Sequence, residues 1–555
     1  MLITNSIRKL IYLLLKCSEI RESVKIVDKF SLLLYDKHSG LLQPNSSQYG
    51  KYCLGSRKRN YYNIQPQFYL LITLVYNFKG ANLGVLNVIN KSADMFKSEV
   101  YKKRRARLHQ VMKTGLALFI GNVDAPMNYP ANAYHFRQDS DFLYFFGLDI
   151  PGITGLMDFD SGKDWIYGND VSLDDIIWMG PQPTVSELAE RCSVKNAAPE
   201  AKLEEIIKEA ISKKRRIHFL PPYRAETKMR LGLLLKENPC QMKTFASTDL
   251  IKAVISMRSI KEQVEIDEIE KAIGIAYEMH TTAMKMCKPG VKEQEIFGVI
   301  EGIALSKGFG AAFPIILSMN GQTLHNHEHG NILQKGRMLV TDAGAETKLH
   351  YSSDITRTTP VGGKFNQRQK DIYEVVLKAN TESIKSVKPG FSNRDLHLNA
   401  CRIIASSLKD LGLMKGDTHE AVAAGAHALF MPHGLGHLMG LDVHDMEGLG
   451  ENYVGYSGQI KRSEQFGFAY LRFALPFKSG HIFTVEPGCY FIPQLIDLWN
   501  SEGKFREFMN YKKLESWKDF GGVRIEDDVL ITDKGYKLLG KPIPKTISEI
   551  ESVCS

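Results

Sequence analysis

The sequence predicts an α/β (α+β) chain in which a smaller N-terminal α/β domain precedes a larger C-terminal domain built from two related halves. Three observations predict it. At 555 residues the chain exceeds one ordinary domain, since domains hold roughly 100–200 residues. From 115 to about 250, short apolar strands alternate with helical stretches, the pattern of an α/β domain. Beyond 255, the order helix, Lys-Pro-Gly, helix occurs twice, one hundred residues apart, at Lys288-Pro289-Gly290 and Lys388-Pro389-Gly390.

Taken from the start, residues 1–94 mix Asn, Tyr, Ser and Leu without a helical or strand period and contain nothing resembling a site. They form an extension whose role the sequence leaves open, and one hypothesis is that the functional protein begins at Met95. Phe96 to Met112 reads as a basic helix, followed by the strand Gly115 to Gly121 and helical stretches at Ser186 to Arg191 and Ala201 to Lys213. This second block is expected to run from 95 to 252.

The third block, 253–555, opens on a long amphipathic helix. The capping box Ser259-Ile-Lys-Glu262 is expected to start it, and Ile266, Ile269, Ile273, Ala276, Met279 and Ala283 recur at three-to-four spacing along it. The echo of this unit is the helical stretch Gln369 to Val387. The repeat predicts two halves folded against each other with pseudo-symmetry.

Composition narrows the function classes. A hydrophobic fraction of 44% and a charged fraction of 24% are those of a globular protein. The formal net charge of +9 comes from scattered residues with short clusters such as Lys102-Lys103-Arg104-Arg105 and Lys213-Lys214-Arg215-Arg216, which read as solvated helix faces, so no nucleic-acid partner is expected. The eight cysteines form no Cys-x-x-Cys pair and suggest a reducing, cytoplasmic setting. Leu10 to Leu15 and Phe68 to Phe78 fall short of a membrane span, and Met1 to Leu15 lacks the cleavage site of a signal peptide.

The chemistry is concentrated after residue 338. Met338-Leu-Val-Thr-Asp342-Ala-Gly-Ala-Glu346 turns into Tyr351-Ser-Ser-Asp354-Ile-Thr-Arg357-Thr, and two hairpin strands would set Asp342 beside Asp354. Neighbouring buried carboxylates resist ionisation unless a cation or a shared proton lies between them. Pro432-His433-Gly-Leu-Gly-His437-Leu-Met-Gly-Leu-Asp442-Val-His444-Asp445 puts three histidines in a glycine-rich apolar stretch, which favours a polar pocket over three separate core imidazoles. Phe483-Thr-Val-Glu486-Pro-Gly-Cys-Tyr490 and Gly521-Gly-Val-Arg524-Ile-Glu526-Asp-Asp528 each place an acid in or beside an apolar strand, although Glu526 also fits an exposed strand position. Four carboxylates and an imidazole suit a pair of divalent ions better than a thiolate-type structural zinc, and two such ions balance four negative charges. A pair roughly 3.5–4 Å apart lowers the pKa of a shared water and polarises a carbonyl, which is the chemistry of peptide hydrolysis.

In order, Asp-Ala-Gly-Ala-Glu from 342, Asp-Ile-Thr-Arg-Thr from 354, His-Gly-Leu-Gly-His from 433, Thr-Val-Glu-Pro-Gly from 484 and Arg-Ile-Glu-Asp-Asp from 524 resemble the motifs of the pita-bread metallopeptidases, specifically the Xaa-Pro aminopeptidase (aminopeptidase P) and prolidase group. His135-Phe-Arg-Gln-Asp-Ser-Asp-Phe-Leu-Tyr-Phe-Phe-Gly147 is similar to the signature of the aminopeptidase P N-terminal domain, so the resemblance covers about 95 to 550. It implies that Asp342 holds one metal, that His437 and Glu486 hold the other, and that Asp354 and Glu526 bridge them. Mn²⁺ is the expected ion, with Co²⁺ or Zn²⁺ as alternatives.

The same resemblance makes Glu486 the general base, has His444 and His325 steady the substrate and the oxyanion, and sets His433 in the pocket wall. Arg524 and Tyr490 match positions that orient Asp342. His327 and His329 are expected to face solvent. The interval from Asp342 to Asp354 is one residue longer than in familiar members, which implies a longer or bulged hairpin. Proline-containing peptides are the implied substrate, since a tertiary amide lacks an N–H and needs a dedicated pocket. The leading expectation is an Xaa-Pro aminopeptidase. Arg472, in Tyr470-Leu-Arg472-Phe, matches an arginine of the prolidases and keeps a dipeptidase as the alternative. A metal-free binding module is the remaining one, and a homo-oligomer is implied.

Overall fold

The computed structural model describes residues 95–555; the expectations for 1–94 lie outside the described residues. Helix α1 (Ser98–Val111) leads into β1 (Leu116–Ile120), then α2 (Ser140–Phe146), β2 (Thr154–Asp158), β3 (Lys163–Gly168), β4 (Asn196–Pro199), α3 (Glu200–Ser212), β5 (Ile217–Phe219) and α4 (Thr248–Arg258). The five strands form one mixed sheet in the order β4-β3-β2-β1-β5. Strand β1 is apolar throughout because both sheet faces are covered: Leu116 and Leu118 meet Leu203 and Ile207 of α3, while Ala117 and Phe119 belong to the core that holds Phe142 and Phe146 of α2.

Helix α1 corrects one expectation. Lys102 and Lys103 are exposed, but Arg104 and Arg105 are each 1% exposed. Arg104 pairs with Glu262 and Glu265 from the start of the next block, and Arg105 pairs with Asp164 while donating to the carbonyls of Phe145 and Cys192. Buried guanidinium groups with this many acceptors are internal fasteners, not a solvated face.

The rest of the chain repeats one plan. In the first half, α5 (Gln263–Met286) and α6 (Glu293–Lys307) are followed by β6 (Gly310–Ala311), β7 (Ile316–Ser318), β8 (Met338–Asp342), β9 (Ala345–Glu346) and β10 (Thr356–Pro360). In the second, α7 (Gln367–Ser386) and α8 (Asn393–Asp410) precede β11 (Ile482–Val485), β12 (Gly488–Phe491), β13 (Gly521–Arg524), β14 (Asp527–Thr532) and β15 (Gly535–Leu538). The Lys-Pro-Gly turns are equivalent in space as well as in sequence. Gly290 and Gly390 have φ of 89° and 82°, and their amides donate to Leu333 and Phe477. Lys292 bridges Ile332, and Ser392 bridges Pro476. The pseudo-symmetric halves expected from the repeat are therefore present, each a helix pair packed on strands.

Helix α5 starts later than expected. Ser259 has helical φ/ψ and closes α4, while Glu262 caps α5 in a reciprocal pair with Glu265. The Ser-x-x-Glu spacing matched a capping box, but its serine hydroxyl donates back to the Ile255 carbonyl. Among the described residues no helix is long and apolar enough to cross a membrane.

Candidate metal centre

Four strand-end positions and one loop build the site. Asp342 ends β8, opposite Thr356 of β10 on one side and Ile316 of β7 on the other. Asp354 lies two residues before β10, so the two aspartates do not face each other as hairpin neighbours. The interval between them leaves the ladder: β9 pairs instead with β6, and Glu346 bridges Ser352. The longer interval thus folds as an excursion, and Ala343 and Ser353 close its neck, their amides donating to the carbonyls of Ile355 and Ala345.

Glu486 and Glu526 occupy matching breaks between two antiparallel ladders. Val485 faces Asp527 on one side of the breaks, and Gly488 faces Arg524 on the other. At such a junction a side chain is freed from the pleat and turned toward the cleft. His437 is brought in by the glycine-rich segment running along β11, where the Thr484 amide donates to the His437 carbonyl and the His437 amide donates to Thr484 Oγ1. Gly436 permits this approach, since a Cβ there would sit 1.8 Å from the Thr484 carbonyl oxygen.

All five expected ligands line one cleft of about 400 Å³, together with His325, His327, His433, His444, Arg472 and Arg524. Asp342, Asp354, His437 and Glu526 are at most 8% exposed. The exposed-strand alternative for Glu526 is excluded by its burial and by a 2.6 Å hydrogen bond from Thr356 Oγ1. His437 Nε2 lies 3.3 Å from Asp354 Oδ2 and 3.8 Å from Glu486 Oε1. The Leu438 carbonyl accepts from His437 Nδ1, which leaves Nε2 as the lone-pair nitrogen facing those carboxylates.

The electrostatics ask for cations. Burial, and after it the charges of Glu526, Asp342, Asp528 and Glu486, hold the Asp354 carboxyl well above the usual carboxylate range. Glu526 is raised in the same way by burial, Glu486 and Asp342, and Glu486 is pushed up to about 8, chiefly by burial. One oxygen each of Asp342 and Asp354 is buried without a hydrogen-bond partner, and the nearest side-chain atoms of Asp354, His437 and Glu526 fall within 4.8 Å of one another. Orphaned carboxylate oxygens around a lone-pair imidazole fit divalent metal ions and little else.

Second partners hold these groups. Arg524 donates to Asp342 and to the Tyr490 hydroxyl, and Tyr490 meets His433 Nε2 at 2.9 Å. Arg357 fastens the Glu526 segment through Asp527 Oδ1 and the Glu526 carbonyl. Asp528, given no role by the sequence, accepts the Asp354 backbone N–H at 3.0 Å. His444 sits at φ 31°, a strained backbone for a non-glycine residue, with Nδ1 2.6 Å from Glu447 and its ring edge-on to His437 at 4.3 Å. His325 and His327 are at the exposed rim of the cleft. His329, expected to face solvent, is buried instead: its Nδ1 contacts the Leu317 carbonyl at 3.0 Å and its ring stacks on Phe297.

The His135-to-Gly147 motif also finds its place. Ser140 and Asp141 at the head of α2 join a buried network in which Arg258 pairs with Asp141, Asp442 and Asp445, and Lys261 pairs with Asp445. Arg137 donates to the Leu441 carbonyl and to Glu346. The N-terminal block thus anchors the histidine loop from behind.

A two-lobed strand-and-helix cradle around three buried carboxylates, a half-buried fourth and an imidazole defines a metallopeptidase. Residues 267–533 match the model of metallopeptidase family M24, and residues 101–218 match that of the aminopeptidase P N-terminal domain. The chain belongs to metallopeptidase family M24. It is 32% identical to the Xaa-Pro dipeptidase of Homo sapiens over 75% of this chain and 84% of that one, and 31% identical to a probable Xaa-Pro aminopeptidase of Fusarium vanettenii over 76% and 88%. Among solved structures, Escherichia coli aminopeptidase P with the inhibitor Pro-Leu superposes with a TM-score of 0.67 at 28% identity, covering 83% of this chain and 98% of that chain.

Proposed function

We propose that the protein is an Xaa-Pro aminopeptidase, releasing the N-terminal residue from peptides that carry proline in the second position. The observation that carries this reading is the gathering of Asp342, Asp354, His437, Glu486 and Glu526 on one cleft. Relatives named for Xaa-Pro substrates support the proline preference. Asp342 would hold one ion, His437 and Glu486 the other, and Asp354 and Glu526 both. The hard oxygen donors favour Mn²⁺ over thiophilic ions. When bound, such a pair supplies a water of lowered pKa and polarises the scissile carbonyl.

The chain's own groups divide the remaining work. Glu486 is placed to take up a proton at its carboxylate and return it to the leaving amine. His444 is aimed by Glu447 through Nδ1, which leaves Nε2 for the substrate carbonyl, and His325 at the rim of the same cleft contacts the peptide. His433 already holds the Gly434 carbonyl and Tyr490 with its two nitrogens, so it shapes the wall.

Substrate length rests on Arg472. A dipeptidase needs a cation free for the C-terminal carboxylate, but Arg472 Nη1 already meets Glu447 at 2.8 Å and Glu451 at 2.9 Å. That supports longer peptides, and prolidase is the second reading because Arg472 still lines the cleft. Comparing kcat/KM for an Xaa-Pro dipeptide and an Xaa-Pro-Yaa tripeptide tests the choice; a tenfold preference for the dipeptide overturns it. The free thiols among the described residues favour a cytoplasmic setting. A homo-oligomer is supported by the helix Leu173–Met179, which exposes Leu173, Ile177, Trp178 and Met179, and sedimentation velocity reads it directly.

A further inference from the structure

Away from the cleft, three side chains with metal-binding chemistry converge in the buried interior of the second half. On α8, His397 and Cys401 are four residues apart and so share a face. Cys401 Sγ lies 3.6 Å from His397 Nε2 and 4.0 Å from Nδ1. The turn Ala426–Leu429 packs on α8 and brings His427 to the pair. One ligand atom from each of the three falls within 4.8 Å of the others, and all three residues are at most 1% exposed.

A buried histidine is ordinarily a hydrogen-bonded core residue, and His427 is poorly served as one: neither ring nitrogen meets hydrogen-bond geometry, and the Val422 carbonyl is the one backbone acceptor close enough to act on the ring. Leaving a buried polar group unpaired is costly. Desolvation keeps both imidazoles neutral, with His397 at about 3 and His427 at about 4, the state in which they donate lone pairs. A tetrahedral zinc ion, with Zn–S of about 2.3 Å and Zn–N of about 2.0–2.1 Å, sets sulfur and nitrogen roughly 3.5 Å apart. The His397–Cys401 separation of 3.6 Å already matches that spacing.

We propose that His397, Cys401 and His427 form a second metal site, which takes one zinc ion through two imidazole nitrogens and one thiolate. On binding, the Cys401 S–H proton goes to solvent as the Zn–S bond forms, and a water entering with the ion takes the fourth position of the tetrahedron. With all three ligand residues at most 1% exposed, no substrate path reaches the ion, and its role is structural. The His427 turn leads directly into the segment carrying His433 and His437, and Phe468, stacked on His397 at 5.2 Å, precedes Tyr470 and Arg472. The ion therefore pins the roots of two walls of the cleft.

Cobalt substitution in the full-length protein tests the proposal, because no residue lining the cleft is a cysteine. Chelator-stripped protein reloaded with Co²⁺ is expected to show a near-ultraviolet thiolate-to-cobalt charge-transfer band, lost in Cys401→Ser and in His427→Gln. Metal analysis is expected to find one zinc per chain fewer in either variant. A band that persists in Cys401→Ser, or no band in the wild type, overturns the site. Should a variant fail to fold, zinc-edge X-ray absorption on Mn²⁺-loaded wild-type protein given one equivalent of Zn²⁺ decides alone. A sulfur in the zinc shell supports the proposal, and a shell without sulfur overturns it.

Discussion

Arg524 Nη2 donates to Asp342 Oδ2 at 2.5 Å, while its Nη1 donates to the Tyr490 hydroxyl at 3.0 Å. One planar fork therefore fixes a carboxylate of the candidate centre and, through Tyr490, the His433 ring in the wall of the cleft. Asp342 keeps its second oxygen unpartnered and directed at the place where cations are required. A lysine cannot reproduce two donors in fixed register.

Arg524→Lys is accordingly expected to weaken metal binding and to lower kcat/KM by about 10- to 100-fold, the usual cost of losing a group that orients a ligand. Tyr490→Phe should act in the same direction and more weakly, since Arg524 remains on Asp342. Mn²⁺ titrations of activity measure both, and wild-type metal affinity in Arg524→Lys would remove Arg524 from this role.

Asp354→Asn separates function from stability. Its carboxyl stands among four other acids and is driven well above the usual range by burial first and by Glu526 next. In metal-free protein that raised pKa makes ionisation destabilising, so stability falls as pH rises above the unfolded-state value near 4. The amide removes this penalty. Above pH 7 metal-free Asp354→Asn should melt at a higher temperature than metal-free wild type, yet show no turnover with Mn²⁺. Full activity, or a lower melting temperature, contradicts the assignment.

The candidate site was legible because its proposed ligands sit in local motifs whose chemistry is anomalous for their surroundings: Glu486 before Pro-Gly, Asp342 at the end of an apolar strand, His437 among glycines. The partners that make those groups usable were not. Asp528 reaches the Asp354 amide, and Arg357 reaches Asp527, across about 170 residues of chain that only folding closes. Arg104 and Arg105 read as solvated for the same reason, since a charge run shows no acceptors until Glu262, Glu265 and Asp164 arrive. His329 shares the alternation of His325 and His327, and only the packing of Phe297 turns it inward. The repeat of helix pairs was readable because Lys-Pro-Gly encodes its turn locally, whereas the placement of Ser259 depends on which helix claims it.

Proton competition gives a pH prediction for metal binding. Glu486, at about 8 in the metal-free site, is raised by burial and then by Asp342, with Arg524 opposing. The carboxyl holds a proton below that pH, and coordination requires its release. Mn²⁺ affinity should therefore rise with pH through about 8, and the raised carboxyls of Asp354 and Glu526 add to the protons released on binding. For the metal-free protein the sign is reversed: native Glu486 binds its proton more tightly than the unfolded chain, so stability declines between about 4.5 and 8, at up to about 1.4 kcal/mol per pH unit. Calorimetric titrations in buffers of different ionisation enthalpy measure the release. An affinity flat from pH 6 to 8 would show that Glu486 is not a ligand.

Glu447 governs both His444 and Arg472, and its removal should change which peptides are accepted. Its carboxylate meets His444 Nδ1 at 2.6 Å and Arg472 at 2.8 Å, and these contacts, His444 first, hold it below the usual range. Glu447→Gln leaves Arg472 with Glu451 alone, so more of its positive charge is available to a substrate carboxylate. The ratio of kcat/KM for Xaa-Pro dipeptide over Xaa-Pro-Yaa tripeptide should rise by about 5- to 30-fold, equivalent to roughly 1–2 kcal/mol of recovered charge pairing at a partly exposed site. Absolute kcat should fall for both substrates, because the neutral amide orients His444 less firmly than a carboxylate does. Parallel assays on the two peptides decide it, and a ratio that stays at the wild-type value would mean that Arg472 does not read the peptide's C-terminus.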